Sequence, residues 1–183
     1  MNEKEYVTEL LSREPVANEI RKNLDALLRI LPQLRDMIGF DHCHPHHHLD
    51  VWKHTLLALN HSENNVKTRI ALLLHDVGKP HSYQCDGAVR HYRGHAEKSA
   101  ETAERVLTRL GFDADFTQSV CTIIRRHDLP LSEEDILRAP ALSREIFEVQ
   151  RCDALAHNPA YNQKRLAYVE RMQALLYSLS SKP

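Results

Sequence analysis

The chain has 183 residues, a net charge of −1 and a pI near 6.9, so no strong basic field draws nucleic acid or a membrane surface at long range. Hydrophobic residues make up 42% and charged residues 27%, the balance of an ordinary globular domain of this length. The N-terminus carries no signal-peptide pattern and no apolar run is long enough for a bilayer. The scattered cysteines Cys43, Cys85, Cys121 and Cys152 form no Cys-x-x-Cys pair, so a reducing cytoplasm is expected rather than a disulfide scaffold.

Apolar residues recur at three and four positions, which predicts helices at about 3–12, 16–31, 49–61, 66–77, 95–110, 114–127, 132–138, 142–157 and 160–179. Pro15 precedes the second and Pro32 ends it. The stretch HCHPHHH, His42 to His48, reads as a loop before the third helix. Pro45 breaks it and its spacing matches no structural zinc site. In the third helix His54 stands three and four residues from Leu57 and Ala58, at the edge of the apolar face. The fourth is apolar nearly all round, through Ile70, Ala71, Leu72, Leu73, Leu74 and Val77, and therefore buried. It ends in His75 and Asp76, with Gly78 expected as a C-terminal stop and Pro80 beyond. Residues 82–92 suggest a small β-hairpin turning at Asp86-Gly87. His95 then opens the fifth helix beside an Ala96, Ala100, Ala103, Leu107 stripe, and Gly111 ends it. The sixth has a Phe116, Val120, Ile123 stripe ending in His127. Ser132 and Asp135 form a capping pattern for the seventh. The eighth aligns Leu142, Ile146 and Val149 with Asp153. The last is amphipathic, suited to closing the domain or to meeting a second chain. The expectation is one all-α domain over 1–183, a compact helical bundle with its core at about 30–157.

Thirteen histidines stand out. A single inward histidine is most often a hydrogen-bonded core residue. Here six groups, His54, His75, Asp76, His95, His127 and Asp153, point inward from five helices, and each would need its own buried partner. A carboxylate at the C-terminal end of a helix is also disfavoured by about 0.3–1 kcal/mol. Burying it unpaired costs several kcal/mol more. One shared metal centre offsets all of these costs.

The order His54, His75-Asp76, Asp153, with HDVGK at its centre, resembles the HD-domain superfamily of metal-dependent phosphohydrolases. His95 and His127 match the additional histidines of its dinuclear members. PHHHLDVWKHTLLAL, LLLHDVGKP, RHYRGHAEKSAETAERVLTRLGF and IIRRHD are similar to the HD domain of bacterial CCA-adding tRNA nucleotidyltransferases. The glycine-rich nucleotidyltransferase signature with paired aspartates is missing and 183 residues leave no room for that domain, so a stand-alone HD domain is expected.

The resemblance implies hydrolysis of a phosphoester on a nucleotide or RNA end, such as a 2′,3′-cyclic phosphodiester or a nucleotide phosphomonoester. His54, His75, Asp76 and Asp153 would hold one ion, and Asp76, His95 and His127 a second. The donor set favours Mn, Fe, Co, Ni or Zn, with Mg a poorer match. Lys79, at the cavity edge, would bind or stabilise the phosphate, and Arg90 and Arg93 would clamp it. Asp128 is a candidate to orient His127, while Arg125 and Arg126 read as a solvated face. Two other functions compete: a non-catalytic nucleotide- or RNA-binding module, and a hydrolase of a signalling guanosine polyphosphate. Intact ligands weigh against the first. His95 and His127 weigh against the second, which generally uses the mononuclear set.

Overall fold

The computed structural model describes residues 1–180, so residues 181–183 of the expected domain lie outside the described residues. Within them the helices are α1 Glu3–Ser12, α2 Val16–Lys22, α3 Leu24–Ile30, α4 Val51–Asn60, α5 Val66–Leu74, α6 His95–Leu110, α7 Ala114–Arg126, α8 Glu133–Arg138, α9 Pro140–Ala156 and α10 Gln163–Ser180. Strands β1 Gln84–Asp86 and β2 Val89–His91 form one antiparallel hairpin, pairing Cys85 with Arg90. Short 3-10 turns lie at Pro32–Met37 and Lys79–His81. The fold is an all-α bundle, as the periodicity predicts.

Helix α5 is the axle. Its five residues from Ile70 to Leu74 are buried on every side, and it packs against α1, α4, α6, α7 and α9. That burial drives the segment after it, with His75 and Asp76, into the interior. α6 and α7 form an antiparallel pair, joined where Gly111 adopts φ +80° and Asp113 caps α7 through the Phe116 N–H at 2.8 Å. The Ser132–Asp135 capping box is formed. α10 packs on α9, burying Val169, Met172 and Leu176.

Three local expectations are corrected. The helix expected over 16–31 divides at Asn23, whose side chain donates to the Glu19 carbonyl at 2.9 Å. A side-chain amide competing for a helix carbonyl in this way is a recognised cause of breaks. The hairpin turns at Gly87 and Ala88, one residue later than expected, because Asp86 pairs with Val89 and Gly87 takes φ +58°. Gly78 is not a left-handed stop: α5 ends at Leu74, and Gly78 has φ −81°. The requirement for glycine there is close approach. A Cβ on Gly78 would lie 2.5 Å from the His95 carbonyl oxygen and 2.9 Å from the Ser99 nitrogen. The missing side chain lets the start of α6 press against the turn that carries His75 and Asp76. The Gly78 N–H donates to the Ser99 hydroxyl at 2.9 Å.

Candidate metal centre

The six inward groups meet in one place. His54 comes from α4, His75 and Asp76 from the turn after α5, His95 from the start of α6, His127 from the end of α7 and Asp153 from α9. Asp76 lies in the middle, fully buried. Its Oδ2 faces His75 Nε2 at 3.2 Å and His54 Nε2 at 3.8 Å. Its Oδ1 faces His95 Nε2 at 3.5 Å and His127 Nε2 at 3.9 Å. Asp153 Oδ1 reaches His54 Nε2 at 2.9 Å and His75 Nε2 at 3.5 Å. The two carboxylate oxygens of Asp76 thus look toward two different sets of imidazoles.

The ring orientations are set by the backbone. His54 Nδ1 meets the Ala156 carbonyl at 3.2 Å, His75 Nδ1 that of Leu72 at 2.7 Å, His95 Nδ1 that of Tyr92 at 2.7 Å and His127 Nδ1 that of Ile124 at 2.7 Å. A carbonyl only accepts, so each Nδ1 holds a proton and donates it. Where the ring is neutral, the Nε2 lone pair then points into the site, the arrangement that prepares imidazoles for metal binding. For three of these histidines the carbonyl belongs to the third residue before it, so the local helical turn itself fixes the ring.

The centre is short of hydrogen bonds. Asp76 Oδ1 and His75 Nε2 are buried with no hydrogen-bond partner among the described residues, and Asp76 Oδ2 is met by the Lys79 ammonium. Such groups carry a desolvation penalty unless a cation meets them. Groups of three ligand atoms close enough for one ion include His54, His75 and Asp153, and also His75, Asp76 and His127. The donor chemistry of mixed imidazole and carboxylate fits a divalent transition metal.

Charge interactions run through the cluster. Burial opposes a charge on His75, but the Asp76 and Asp153 carboxylates overcome it and raise the group to about 10. Burial likewise pushes Asp76 up, yet His75 and Lys79 bring it well below the ordinary carboxylate range. For His127 burial dominates and lowers the ring to about 4, and His95 is lowered for the same reason.

Lys79 lines the cavity from below, buried at 5% exposure, with its ammonium 2.8 Å from Asp76 Oδ2 and 3.2 Å from His42 Nε2. Position three after the aspartate, in a tight 3-10 turn, folds the side chain back onto its own carboxylate. The Arg90 guanidinium donates to the Asp41 carbonyl at 2.7 Å and lies over the rings of Phe40 and Tyr83. Arg93 is exposed and has no hydrogen-bond or ion-pair partner among the described residues. Asp128 stands 3.9 Å from His95 Nε2, whereas His127 is oriented by the Ile124 carbonyl. Arg125 and Arg126 pair with Glu97 and Asp135. Lys79, Arg90, Arg93, Arg125 and Asp128 line a cavity of about 560 Å³ that opens onto His95, His127 and Asp153.

Four further residues belong to the site. His42 is fully buried, its Nδ1 donating to the Leu49 carbonyl at 2.9 Å and its Nε2 accepting from Lys79. The ring of His47 stacks on it at 3.6 Å. His157 Nε2 lies 3.5 Å from Asp153 Oδ1, and burial lowers it to about 3. Arg165 Nη2 lies 3.1 Å from Asp153 Oδ2. The i,i+4 spacing from Asp153 to His157 was a usable sequence signal. Arg165, on the next helix, gave none.

The HD domain family model matches residues 46–158, a span that holds all six groups. The chain belongs to the HD domain family. It is 36% identical over 139 residues to the CC-adding tRNA nucleotidyltransferase of Thermus thermophilus, a match covering 69% of this chain and 32% of that protein. It is 30% identical over 157 residues to the multifunctional CCA protein of an Azoarcus species, covering 82% and 36%. The A-adding tRNA nucleotidyltransferase of Deinococcus radiodurans is 29% identical over 168 residues, covering 84% and 38%. This HD chain spans about a third of the length of these curated relatives. No helix among its described residues is long and apolar enough to cross a membrane.

Proposed function

We propose that the chain is a metal-dependent phosphohydrolase acting on a phosphoester of a nucleotide or RNA end, with a 2′,3′-cyclic phosphodiester or a terminal phosphomonoester as the substrate. One observation carries this: Asp76 is fully buried, its Oδ1 is free of hydrogen bonds, its Oδ2 is met by the Lys79 ammonium, and imidazole Nε2 atoms face each oxygen. A structural core would have closed Oδ1 with a donor.

His54, His75, Asp76 and Asp153 would hold one divalent ion and Asp76, His95 and His127 a second, drawn from Mn, Fe, Co, Ni or Zn, with Mg less suited. Bound ions would activate a water near neutral pH and polarise a phosphoryl oxygen. The chain's own groups do the rest. Backbone carbonyls hold the four imidazoles in place through Nδ1, so receiving a cation needs no ring rotation, only loss of the Nε2 proton from His75. Lys79 brings positive charge to the cavity floor, where charge develops on the phosphoryl group. Arg93, unpaired at the rim, is free to meet an outer phosphate oxygen, and Arg90 braces the hairpin that presents it. Hydrolysis adds the water oxygen to phosphorus, and the departing ester oxygen leaves with a proton. The RNA-end substrate is supported by the tRNA-acting names of the relatives.

Untagged protein assayed for metals and against a phosphoester panel with added Mn, Ni, Co or Mg tests the reading. At least one ion per chain and turnover of a 2′,3′-cyclic nucleotide or terminal phosphate are expected. Less than one ion and no turnover with any metal overturns it. His127→Ala is expected to lower the metal content by one ion. An unchanged content removes the second ion from the proposal.

A further inference from the structure

A second cavity, of about 550 Å³, adjoins the first, with His46, His157 and Arg165 in the lining of both. Ala160, Tyr161, Gln163 and Lys164 complete it. Its lining contains two cationic side chains and no carboxylate, unlike the first cavity with Glu97, Asp128 and Asp153. Lys164 is exposed and has no ion-pair partner among the described residues, while Arg165 spans from this cavity to Asp153.

The aromatic groups there are presented, not packed away. Tyr161 is 53% exposed, with its ring 5.3 Å from that of His46 and tilted by 30°. Both side chains sit on loops that are tied together. The Asn158 N–H donates to the His46 carbonyl at 2.8 Å, its side-chain amide donates to the Pro45 carbonyl at 3.2 Å, and its own carbonyl accepts from the Tyr161 N–H at 2.9 Å. Asn158 thereby fixes the Tyr161 and His46 rings beside the metal centre. An exposed ring pair next to an exposed lysine and an arginine anchored on Asp153 is the kind of surface that single-stranded nucleic acid uses, with bases stacking and phosphates paired.

We infer that this second cavity is a subsite for the nucleotide adjoining the scissile phosphoester: its base stacks on Tyr161 and His46, and its phosphate meets Lys164 and Arg165. The inference rests on the phosphohydrolase reading and narrows it, because a mononucleotide fills only the first cavity while an RNA end occupies both. Tyr161 and Lys164 are then specificity determinants for an RNA strand over a free nucleotide.

The test compares wild type, Tyr161→Ala and Lys164→Glu, as full chains loaded with the metal that supports turnover. The substrates are a hexaribonucleotide with a 2′,3′-cyclic phosphate end and 2′,3′-cyclic AMP. Tyr161→Ala is expected to raise KM for the oligonucleotide about ten-fold relative to its effect on the mononucleotide, with kcat for the oligonucleotide little changed. Lys164→Glu is expected to act in the same direction. Equal effects on both substrates, or none on either, overturn the subsite. Anisotropy of a fluorescent hexaribonucleotide gives an independent readout. If no phosphoester is turned over yet Tyr161→Ala weakens binding about ten-fold, the subsite stands and the enzymatic reading falls. If 2′,3′-cyclic AMP is hydrolysed and neither variant changes oligonucleotide KM or binding, the enzyme stands and the subsite falls.

Discussion

Helix α5 buries polar groups at both of its ends, and the two ends treat them in opposite ways. Toward its N-terminus, Arg69 is fully buried. Its guanidinium donates to the Leu11 carbonyl at 2.7 Å, to Asn64 Oδ1 at 3.2 Å and to Ser62 Oγ at 3.1 Å, and it pairs with Glu14. Just past its C-terminus His75 and Asp76 are equally buried, yet His75 Nε2 and Asp76 Oδ1 have no hydrogen-bond partner among the described residues, and only Asp76 Oδ2 is met, by Lys79. The first end fastens α1 and the α4–α5 loop to the core. The second end is left open to a ligand. Burial of a charged side chain is therefore no sign of function in this molecule, whereas burial with unmet hydrogen-bonding capacity is.

The sharpest way to break the comparison is to remove one group at each end. Asp76→Ala, with Lys79→Met alongside so that no ammonium is stranded, should abolish bound metal and lower turnover by about 10³-fold or more while the helical circular dichroism remains. Retained metal in elemental analysis would show that Asp76 is only a core residue. Arg69→Met should do the reverse. It strands the Leu11 carbonyl and loses several charged hydrogen bonds, at a cost of about 2–4 kcal/mol in urea denaturation, with metal content per folded chain unchanged. If metal is lost as well, the two ends are one coupled unit.

Chelation sharpens the comparison next. Stripping the ions should lower stability by about 2.7 kcal/mol when free metal stands at about 100 times its Kd, read as a fall in Tm. The same shift should appear in Arg69→Met and be absent from the Asp76→Ala, Lys79→Met protein. The smallest signal is a proton. In the metal-free chain His75, raised to about 10, is protonated at pH 7.5, and a ligand must be neutral. Metal addition in weak buffer should then release about one proton per chain through His75. The release should fade as pH rises through about 10, where the ring is already neutral. No release at pH 7.5 would place His75 outside the ligand set.

Much of this was legible in the sequence because it was local. The apolar girdle of α5 forces burial wherever its neighbours come from, and helical periodicity places His127 and Asp153 inward by arithmetic. The Gly111 turn and the Ser132 box depend on residues three or four apart. Other features depended on contacts between distant segments. Gly78 looks like a helix stop in one dimension, but its reason is the His95 carbonyl on another helix. Lys79 reads as a residue at the cavity edge until His42, 37 positions earlier, is placed against it. Of the His42–His48 run, the sequence could not say that His42 and His47 stack inside while His46 faces outward beside Tyr161.

The sequence by itself determined the helices, their buried faces and the six groups carried on them, because periodicity and capping act within a few residues. Only the tertiary structure decided which imidazole faces which oxygen of Asp76 and that Lys79 lies inside. It also decided that a second, cationic cavity with Tyr161 at its wall opens beside the metal centre. Those are distances between side chains from different helices, and a helix face fixes a direction without fixing the neighbour that it meets.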